Sequence, residues 1–348
     1  MTETINHEIR LKTRPQGQIT TDLFERVEVP MPTAGEGEVL IRVLFLSLEP
    51  AMRGWISDAP NYREPVPIGA VMPGFTVSEV VASTHPDYAV GDIVAGRQGW
   101  REWAVSDGSD IDRKLDPEQA PITTALHILG LTGVTAYLGL TEVGQPKAGE
   151  TVAVSTAAGA VGSAVGQIAK VLGCRTIGLT GSDDKVRDCM SLYGYDVAIN
   201  YKTAEDLSAA IGEAAPDGID VYFDNTGGAI SDAVLEHLAV HARIIVCGTM
   251  AIDPGGATAN DPPPQGPRPN RHLLVNRARM EGFLVLDHMH RLPEAVAEMS
   301  GWLRSGRLAY REDVTNGLES APEAFARLLK GENTGKMLVR VGEEPAGV

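Results

Sequence analysis

Cysteine is scarce in this chain, with three in 348 residues, at positions 174, 189 and 247. They lie far apart with no C-x-x-C pair, which excludes a disulfide framework and a four-cysteine zinc lobe and suits a reducing compartment. None reads as a nucleophile. Cys174 and Cys247 fall beside or inside apolar, strand-like runs, where a small thiol is a buried apolar group. Long apolar runs are also missing. Nothing approaches the ~20 consecutive apolar residues that a membrane-spanning helix needs, and Met1-Thr2-Glu3-Thr4-Ile5-Asn6 lacks the basic-then-apolar order of a signal peptide, so the expected compartment is the cytoplasm. Clustered Lys and Arg are absent too, and with a net charge of −16 this excludes a nucleic-acid partner. The acidity does not exclude an anionic cofactor, because helix N-termini and a few local cations can hold phosphate.

The length suggests two domains at ~100 to 200 residues each. Up to about Lys114, short β-branched runs broken by Gly and Pro, such as Val39–Val43, Val77–Val81 and Gly91–Ala95, describe a compact β-rich domain. After Pro121 the pattern changes. Thr123–Leu140 is apolar and helix-like, interrupted by Gly130 and Gly133, and leads into alternating apolar strands and amphipathic helices. The expected strands are Thr151–Ser155, Arg175–Leu179, Val197–Asn200, Val221–Asp224, Ile244–Cys247 and Gly282–Leu286. Near-continuous apolar strands alternating with helices predict a parallel sheet covered on both faces, hence an α/β fold. Asp253–Asn270 breaks the rhythm with six of the 22 prolines and reads as a loop and candidate lid. Ala321–Val341 reads as a helix followed by a strand, Lys336–Val341, which could return to the first domain.

The sharpest motif is Thr151-Val-Ala-Val-Ser-Thr-Ala-Ala-Gly-Ala-Val-Gly162, a strand, a tight turn and the start of a helix over Ser163–Leu172. It is a dinucleotide fingerprint in the form A-x-G-x-x-G, with Ala157 in place of the first glycine. Gly159 would admit a pyrophosphate, Gly162 would let the helix pack closely on the strand, and the helix start would supply N–H groups and a positive dipole end. The second strand ends Gly178-Leu179-Thr180-Gly181 without the carboxylate that would take a ribose 2′-hydroxyl, while Lys185 follows and could pair a 2′-phosphate. NADP(H) is therefore the expected cofactor. Asp183 and Asp184 would repel that phosphate or cap the next helix, and capping is the expected role.

Seven stretches together resemble a known family: Leu48–Gly54, Gly130–Tyr137, Gly159–Lys170, Ala198–Lys202, Phe223–Gly228, Arg279–Phe283 and Glu332–Lys336. The chain is similar along nearly its whole length to the zinc-independent medium-chain dehydrogenase/reductases, in the branch of prostaglandin reductase, leukotriene B4 dehydrogenase and bacterial curcumin reductase. The resemblance implies a GroES-like catalytic domain over 1–125, completed by about 315–348, and a doubly wound Rossmann domain over 126–314. It implies NADPH-dependent reduction of a carbon–carbon double bond conjugated to a ketone or aldehyde, with a small-molecule, hydrophobic carbonyl substrate, no metal and a homodimer. The cofactor positions it carries over are Gly159, Ala160, Val161 and Gly162, Lys185 and Tyr201 near the 2′-phosphate, Asn225, Cys247 and Gly248, Phe283, Leu284 and Val285 beside the nicotinamide, and Asn333. Ala51, Met52 and Arg53 are the implied substrate-pocket positions.

The chain departs from the family twice. A tyrosine common after the fifth strand is replaced by Asp253-Pro254, and another in the early Pro-Tyr-Met-Arg motif by Ala51. Both losses remove a phenol that would donate to a carbonyl oxygen, which leaves Tyr62 and a protonated Asp253 as candidate catalytic side chains, and Ala51 should widen the pocket. Gly74-Phe75-Thr76 stands where zinc-dependent relatives have Gly-His-Glu, and His288 and His290, two apart, read as a surface loop. A quinone reductase and a non-catalytic NADP(H)-binding regulator are the rival readings.

Overall fold

In chain order, the strands of the computed structural model, which describes residues 5–252 and 265–345, begin with β1 (Ile5–Leu11) and β2 (Phe24–Pro30), an antiparallel ribbon pairing Ile5 with Pro30 and Leu11 with Phe24. There follow β3 (Val39–Ser47), the one-turn helix α1 (Met52–Trp55), β4 (Thr76–Ser83), β5 (Ile93–Gly96), β6 (Trp103–Ser106) and β7 (Ile111–Leu115). Then comes the alternating half: α2 (Leu131–Leu138), β8 (Thr151–Ser155), α3 (Ala160–Val171), β9 (Arg175–Thr180), α4 (Asp183–Ser191), β10 (Val197–Asn200), α5 (Leu207–Ala214), β11 (Ile219–Asp224), α6 (Gly228–Leu235) and β12 (Leu238–Val246). The described chain resumes with α7 (Asn270–Asn276), β13 (Arg279–Gly282) and α8 (Leu292–Arg304), and closes with β14 (Glu312–Asn316), α9 (Ala321–Leu329) and β15 (Lys336–Arg340).

The chain divides into two units, one from the residues up to Leu126 joined by those from Glu312 onward, the other lying within His127 to Arg311. In the first, a seven-stranded mixed sheet runs β14-β15-β3-β4-β5-β7, with β6 paired to β3. β3 is its spine, because Val-Leu-Ile-Arg-Val-Leu-Phe-Leu-Ser is apolar on both faces and buried along most of its length. One core cluster gathers Phe24, Trp100 and Phe325, with Phe24 and Trp100 stacked at 5.5 Å and Phe325 edge-on to Trp100 at 6.0 Å. The tail expected to be a helix and a strand supplies Phe325 and β15, so residues more than 300 apart in sequence share this core.

The second unit holds a six-stranded, all-parallel sheet in the order β10-β9-β8-β11-β12-β13. Counted from β8, that is the 3-2-1-4-5-6 order of a doubly wound dinucleotide fold, with its switch point between β8 and β11. The fully buried Thr-Val-Ala-Val-Ser of β8 occupies the centre, as an apolar strand between two neighbours must. No helix among the described residues is long and apolar enough to cross a membrane.

Two expectations need correction, and three strands were not read at all. The strand expected over Gly282–Leu286 lies at Arg279–Gly282, because its partner β12 ends at Val246; Phe283 N–H makes the last bond, 2.9 Å to the Val246 carbonyl, and the chain then tightens into a 3₁₀ turn over Val285–Arg291. The helix expected over Thr123–Leu140 is broken into a 3₁₀ turn at Ile122–Leu126, α2, and a π turn at Gly139–Gly144. Gly130 is extended at the break, and a β-carbon on Gly133 would overlap the Ile128 carbonyl. β1, β2 and β14 had no alternation strong enough to read, since each mixes charged and apolar residues and earns its strand state through pairing.

Candidate active site

The strand-to-helix turn after β8 carries the fingerprint. Ser155 ends the strand, Thr156 adopts a left-handed φ of 54°, and Gly159 is the N-cap of α3 with no side-chain cap hydrogen bond. The N–H groups of the first helical turn, at Ala160, Val161 and Gly162, are thus left for an outside acceptor at the positive end of a 12-residue helix. Gly162 is needed for close approach: a β-carbon there would overlap the Thr156 carbonyl oxygen and sit 2.8 Å from Ala157 Cα. The departure at Ala157 is accommodated by a neighbour, since Gly178 on β9 lacks the β-carbon that would stand 2.8 Å from the Ala157 methyl.

Across the switch point, Asn225 locks the ends of β8 and β11 together. Its backbone N–H donates to Ser155 Oγ at 2.8 Å and its side-chain amide to the Ser155 carbonyl at 2.7 Å. Beneath it lies Asp224, a buried carboxylate with no ion-pair partner among the described residues. Asp224 accepts from Ser231 Oγ at 2.5 Å, Tyr222 Oη at 3.0 Å, Ser155 Oγ at 3.3 Å, and the Thr226 and Gly227 N–H groups at 3.0 and 2.9 Å. Five donors replace water around the charge, the condition under which a carboxylate tolerates burial. Cys247 and Gly248 both donate their N–H groups to the Asp224 carbonyl, at 2.8 and 3.0 Å, which sets the end of β12 beside Asn225. Burial, then the Asp224 charge, pushes the Cys247 thiol up to about 12, so it stays a neutral thiol. Phe283 and Val285 are buried and Leu284 half-buried just after β13. His288, expected on a plain surface loop, is half-buried and stacks on Phe283 with ring centroids 5.2 Å apart.

A corner of Lys185, Tyr201 and Lys202 forms where β9 and β10 end. A β-carbon on Gly181 would meet Tyr201 Oη at 2.9 Å and Lys202 Cε at 3.2 Å. Lys185 belongs to the same corner: burial lowers its ammonium pKa, and the Lys202 charge lowers it further. Lys202 had been quoted only as the end of a motif, and its signal was adjacency to Tyr201 at a strand end. The acids that could oppose a phosphate are engaged elsewhere. Asp183 Oδ1 accepts from Asn200 Nδ2 at 2.7 Å, and Asp184 pairs with Arg187. The capping role expected for this acidic pair falls instead to Ser182, whose hydroxyl accepts the Lys185 N–H at 3.3 Å, with both aspartates in the first turn of α4. A short hydroxyl one residue earlier reaches the N3 amide, which a side chain already inside the helix cannot do.

In the first unit, Ala51 is exposed as the N-cap of α1, Arg53 is half-buried, and Met52 is fully buried in the core beside Trp55 and Leu48. Tyr62 is exposed, and its hydroxyl accepts the Trp55 indole N–H at 2.9 Å; the Arg63 guanidinium covers the Trp55 ring at 4.5 Å. Asn333 is buried, its amide donating to the Gly335 carbonyl at 2.6 Å. Asp253 and most of the proline-rich segment lie outside the described residues. Among the described residues, no three His, Cys, Asp or Glu side chains converge as metal ligands.

Glycines that hold a helix start against a strand end, and two lysines with a tyrosine beside the second strand, fit a dinucleotide bearing an additional phosphate. That fold and site define a nucleotide-dependent oxidoreductase of two units. Residues 7–113 match the family described as the N-terminal domain of oxidoreductase, and residues 160–301 that of zinc-binding dehydrogenase. The chain is 44% identical to the NADPH-dependent curcumin reductase of Escherichia coli over 95% of both chains. It is 40% identical to the NADP-dependent 2-alkenal reductase of Nicotiana tabacum over 89% of both. The structure of CurA from Vibrio vulnificus in complex with NADPH superposes with a TM-score of 0.90 at 41% identity, over 97% of this chain and 100% of that one. The chain belongs to the medium-chain dehydrogenase/reductases, in the branch of the curcumin, alkenal and prostaglandin reductases.

Proposed function

We propose that this protein is an NADPH-dependent reductase of the carbon–carbon double bond of α,β-unsaturated ketones or aldehydes. The single observation that carries the reading is the corner of Lys185, Tyr201 and Lys202 at the end of the second Rossmann strand, in a chain whose relatives are named for reducing curcumin and alkenals with NADPH. When bound, NADPH supplies the hydride. Everything else is the work of side chains and amides. The first turn of α3 and the Gly159–Gly162 backbone take the pyrophosphate, the lysine pair takes the 2′-phosphate, and Asn225, Cys247–Gly248, Phe283–Val285 and Asn333 orient the remainder of the cofactor.

In this reading the first unit, through about residue 125 and from about 315, is the catalytic domain, and the stretch between them is the cofactor domain. Ala51, Met52 and Arg53 shape the substrate end. With the family's two tyrosines replaced, Tyr62 is the donor to the oxygen that gains charge. Its hydroxyl oxygen accepts from Trp55, which leaves its own proton to donate. Asp253 in its protonated form is the alternative donor. The assembly is a cytoplasmic homodimer joined through the cofactor domain; the exposed edge strand β13, which carries Met280, and the exposed Leu274 and Val275 on α7 support that surface.

The test is a panel of enones, alkenals and quinones, followed by loss of NADPH absorbance with the purified protein. Turnover of enones or alkenals with saturated products supports the proposal. Turnover of quinones alone, or tight NADPH binding with no turnover, overturns it in favour of a quinone reductase or a cofactor-binding regulator.

A further inference from the structure

The first unit contains a buried charge pair for which the chemistry above finds no use. Lys336, on β15, is 2% exposed, and its ammonium donates to Glu49 Oε1 at 2.6 Å and to the Leu48 carbonyl at 3.0 Å. Glu49 is 7% exposed and takes a second donor on the same oxygen, Ser47 Oγ at 2.6 Å. A lysine and a glutamate are costly to bury, and a well-packed apolar pair of the same volume commonly gives equal or greater stability. What an ion pair adds is direction: three hydrogen bonds at fixed angles, unavailable to leucine or methionine.

The pair sits where two functional segments begin. On one side, Glu49 and Pro50 lead directly into Ala51, Met52 and Arg53; the Glu49 carbonyl accepts the Met52 N–H at 3.0 Å and the Pro50 carbonyl accepts the Arg53 N–H at 3.1 Å, so the orientation of Glu49 sets that of the helical turn. On the other side, Lys336 follows Asn333-Thr334-Gly335, where Asn333 closes onto the Gly335 carbonyl and the Thr334 N–H is held by Asp313 Oδ2 at 3.1 Å. The backbone beside the pair is joined by Leu48 N–H to the Met337 carbonyl at 3.2 Å and then by the antiparallel β3–β15 ladder, with Leu338 opposite Ser47, so the ion pair is the last link before the two strands part. The segments are 287 residues apart in sequence, so neither can be placed relative to the other by local structure.

The geometry points to Lys336 and Glu49 as positioning residues for the reaction: their buried ion pair fixes the Ala51–Arg53 turn in register with the Asn333 segment, aligning the substrate position with a cofactor position. This rests on the reductase reading for the roles of Ala51–Arg53 and Asn333, while the registration itself does not. Burial lowers the Lys336 pKa, and the Glu49 carboxylate opposes that shift without cancelling it.

The test compares Lys336→Met, Lys336→Arg and the double variant Glu49→Gln/Lys336→Met in the full-length protein. Misplacement of a reacting group by about 1 Å costs about 100-fold in rate, and that is the loss in kcat/KM for an enone expected of Lys336→Met, with NADPH affinity measured by fluorescence titration held near that of the wild type. Lys336→Arg recovers part of the loss. The double variant, which leaves no charge buried alone, regains the melting temperature and remains slow. Recovery of turnover together with stability in the double variant reduces the pair to a structural element and overturns the inference. Deuterium uptake over residues 48–56 and 331–336 is the readout independent of activity: it rises in both segments of the double variant if the pair registers them, and an unchanged pattern is equally fatal. A wild-type protein inactive on every enone would sink the proposed function, and the exchange data would still decide the registration.

Discussion

Two of the carboxylates buried among the described residues, Asp224 and Glu49, solve one problem in opposite ways. Asp224, in the parallel-sheet unit, meets no cation among the described residues; hydroxyls of Tyr222 and Ser231 and the N–H groups of Thr226 and Gly227, all within seven residues, surround it, and Ser155 comes from farther away. Glu49, in the β-rich unit, meets a lysine drawn from the far end of the chain. The first arrangement is a strand end and turn that close on themselves. The second exists only when the C-terminal strand has docked. A site built from local partners is rigid as soon as its strand and turn form, whereas one built on a distant ion pair depends on the whole unit being assembled.

The comparison is broken most severely at Asp224. Asp224→Ala strands the Tyr222, Ser231 and Ser155 hydroxyls in a dry site, and the expected loss is about 4 kcal/mol of stability in urea unfolding, hydrogen bonds to a charged group being worth about 1.5–3 each. Retention of wild-type stability would mean the network contributes little. Next in size is Gly162→Val, which forces a side chain into the Thr156 carbonyl and the Ala157 Cα. About 3 kcal/mol of overpacking is expected, with NADPH binding by titration calorimetry falling below detection while the β-rich unit keeps its near-UV signal.

The lysine corner gives a smaller, more selective effect. Lys185→Ala and Lys202→Ala should each weaken NADPH by about tenfold, near the ~1.5 kcal/mol of a charge-assisted hydrogen bond, and leave NADH affinity unchanged. Equal losses for both cofactors would remove the 2′-phosphate from this corner. At the substrate end, Ala51→Tyr should lower kcat/KM for bulky enones and spare small ones, since Ala51 is exposed at the start of α1 and a phenol there narrows the approach.

The smallest effect sharpens the contrast in pH. In the parallel-sheet unit, burial pushes the Glu150 carboxyl up, but hydrogen bonds from Arg243 and the Lys147 N–H overcome it, and the net pKa is lowered. A depressed folded-state value contributes stability that is present above the ordinary value of 4.5 and is lost as the pH falls through the folded-state value. In the β-rich unit, burial raises the Glu312 carboxyl, the Thr123 hydroxyl partly offsets that, and Glu344 adds to it. Its contribution is complete below 4.5 and disappears as the pH rises through the raised value. Glu312→Gln should therefore stabilise by about 0.5 kcal/mol at pH 7 and not at pH 4, seen as a pH-dependent difference in melting temperature. A difference of the same size at both pH values would show that Glu312 ionises normally.

The reach of sequence reasoning follows the same division. β8 lies where its apolar run predicts, because a strand buried on both faces must be apolar throughout and its ends must turn, and β10, a half-buried edge strand, also lies at Val197–Asn200. The fingerprint at Gly159–Gly162 was readable because a strand, a turn and a helix start are adjacent in sequence. Lys202 was missed because its role comes from standing over Gly181, 21 residues earlier, and the Ser182 cap was misassigned to its acidic neighbours because both residue types suit a helix start. β13 was misplaced because its limits are set by where β12 stops. β1, β2 and β14 have no readable period and become strands only by pairing.

By itself, then, the sequence determined an α/β chain of two units with a glycine-bearing strand-to-helix turn after β8 and a lysine rather than a carboxylate near the second strand's end, because period, turn chemistry and residue type act over a few residues. Tertiary structure alone decided that Gly178 makes room for Ala157, that Lys202 joins Lys185 and Tyr201, and that Lys336 finds Glu49. Those relations depend on which surfaces meet when strands pair and helices pack, and distance along the chain carries no record of that.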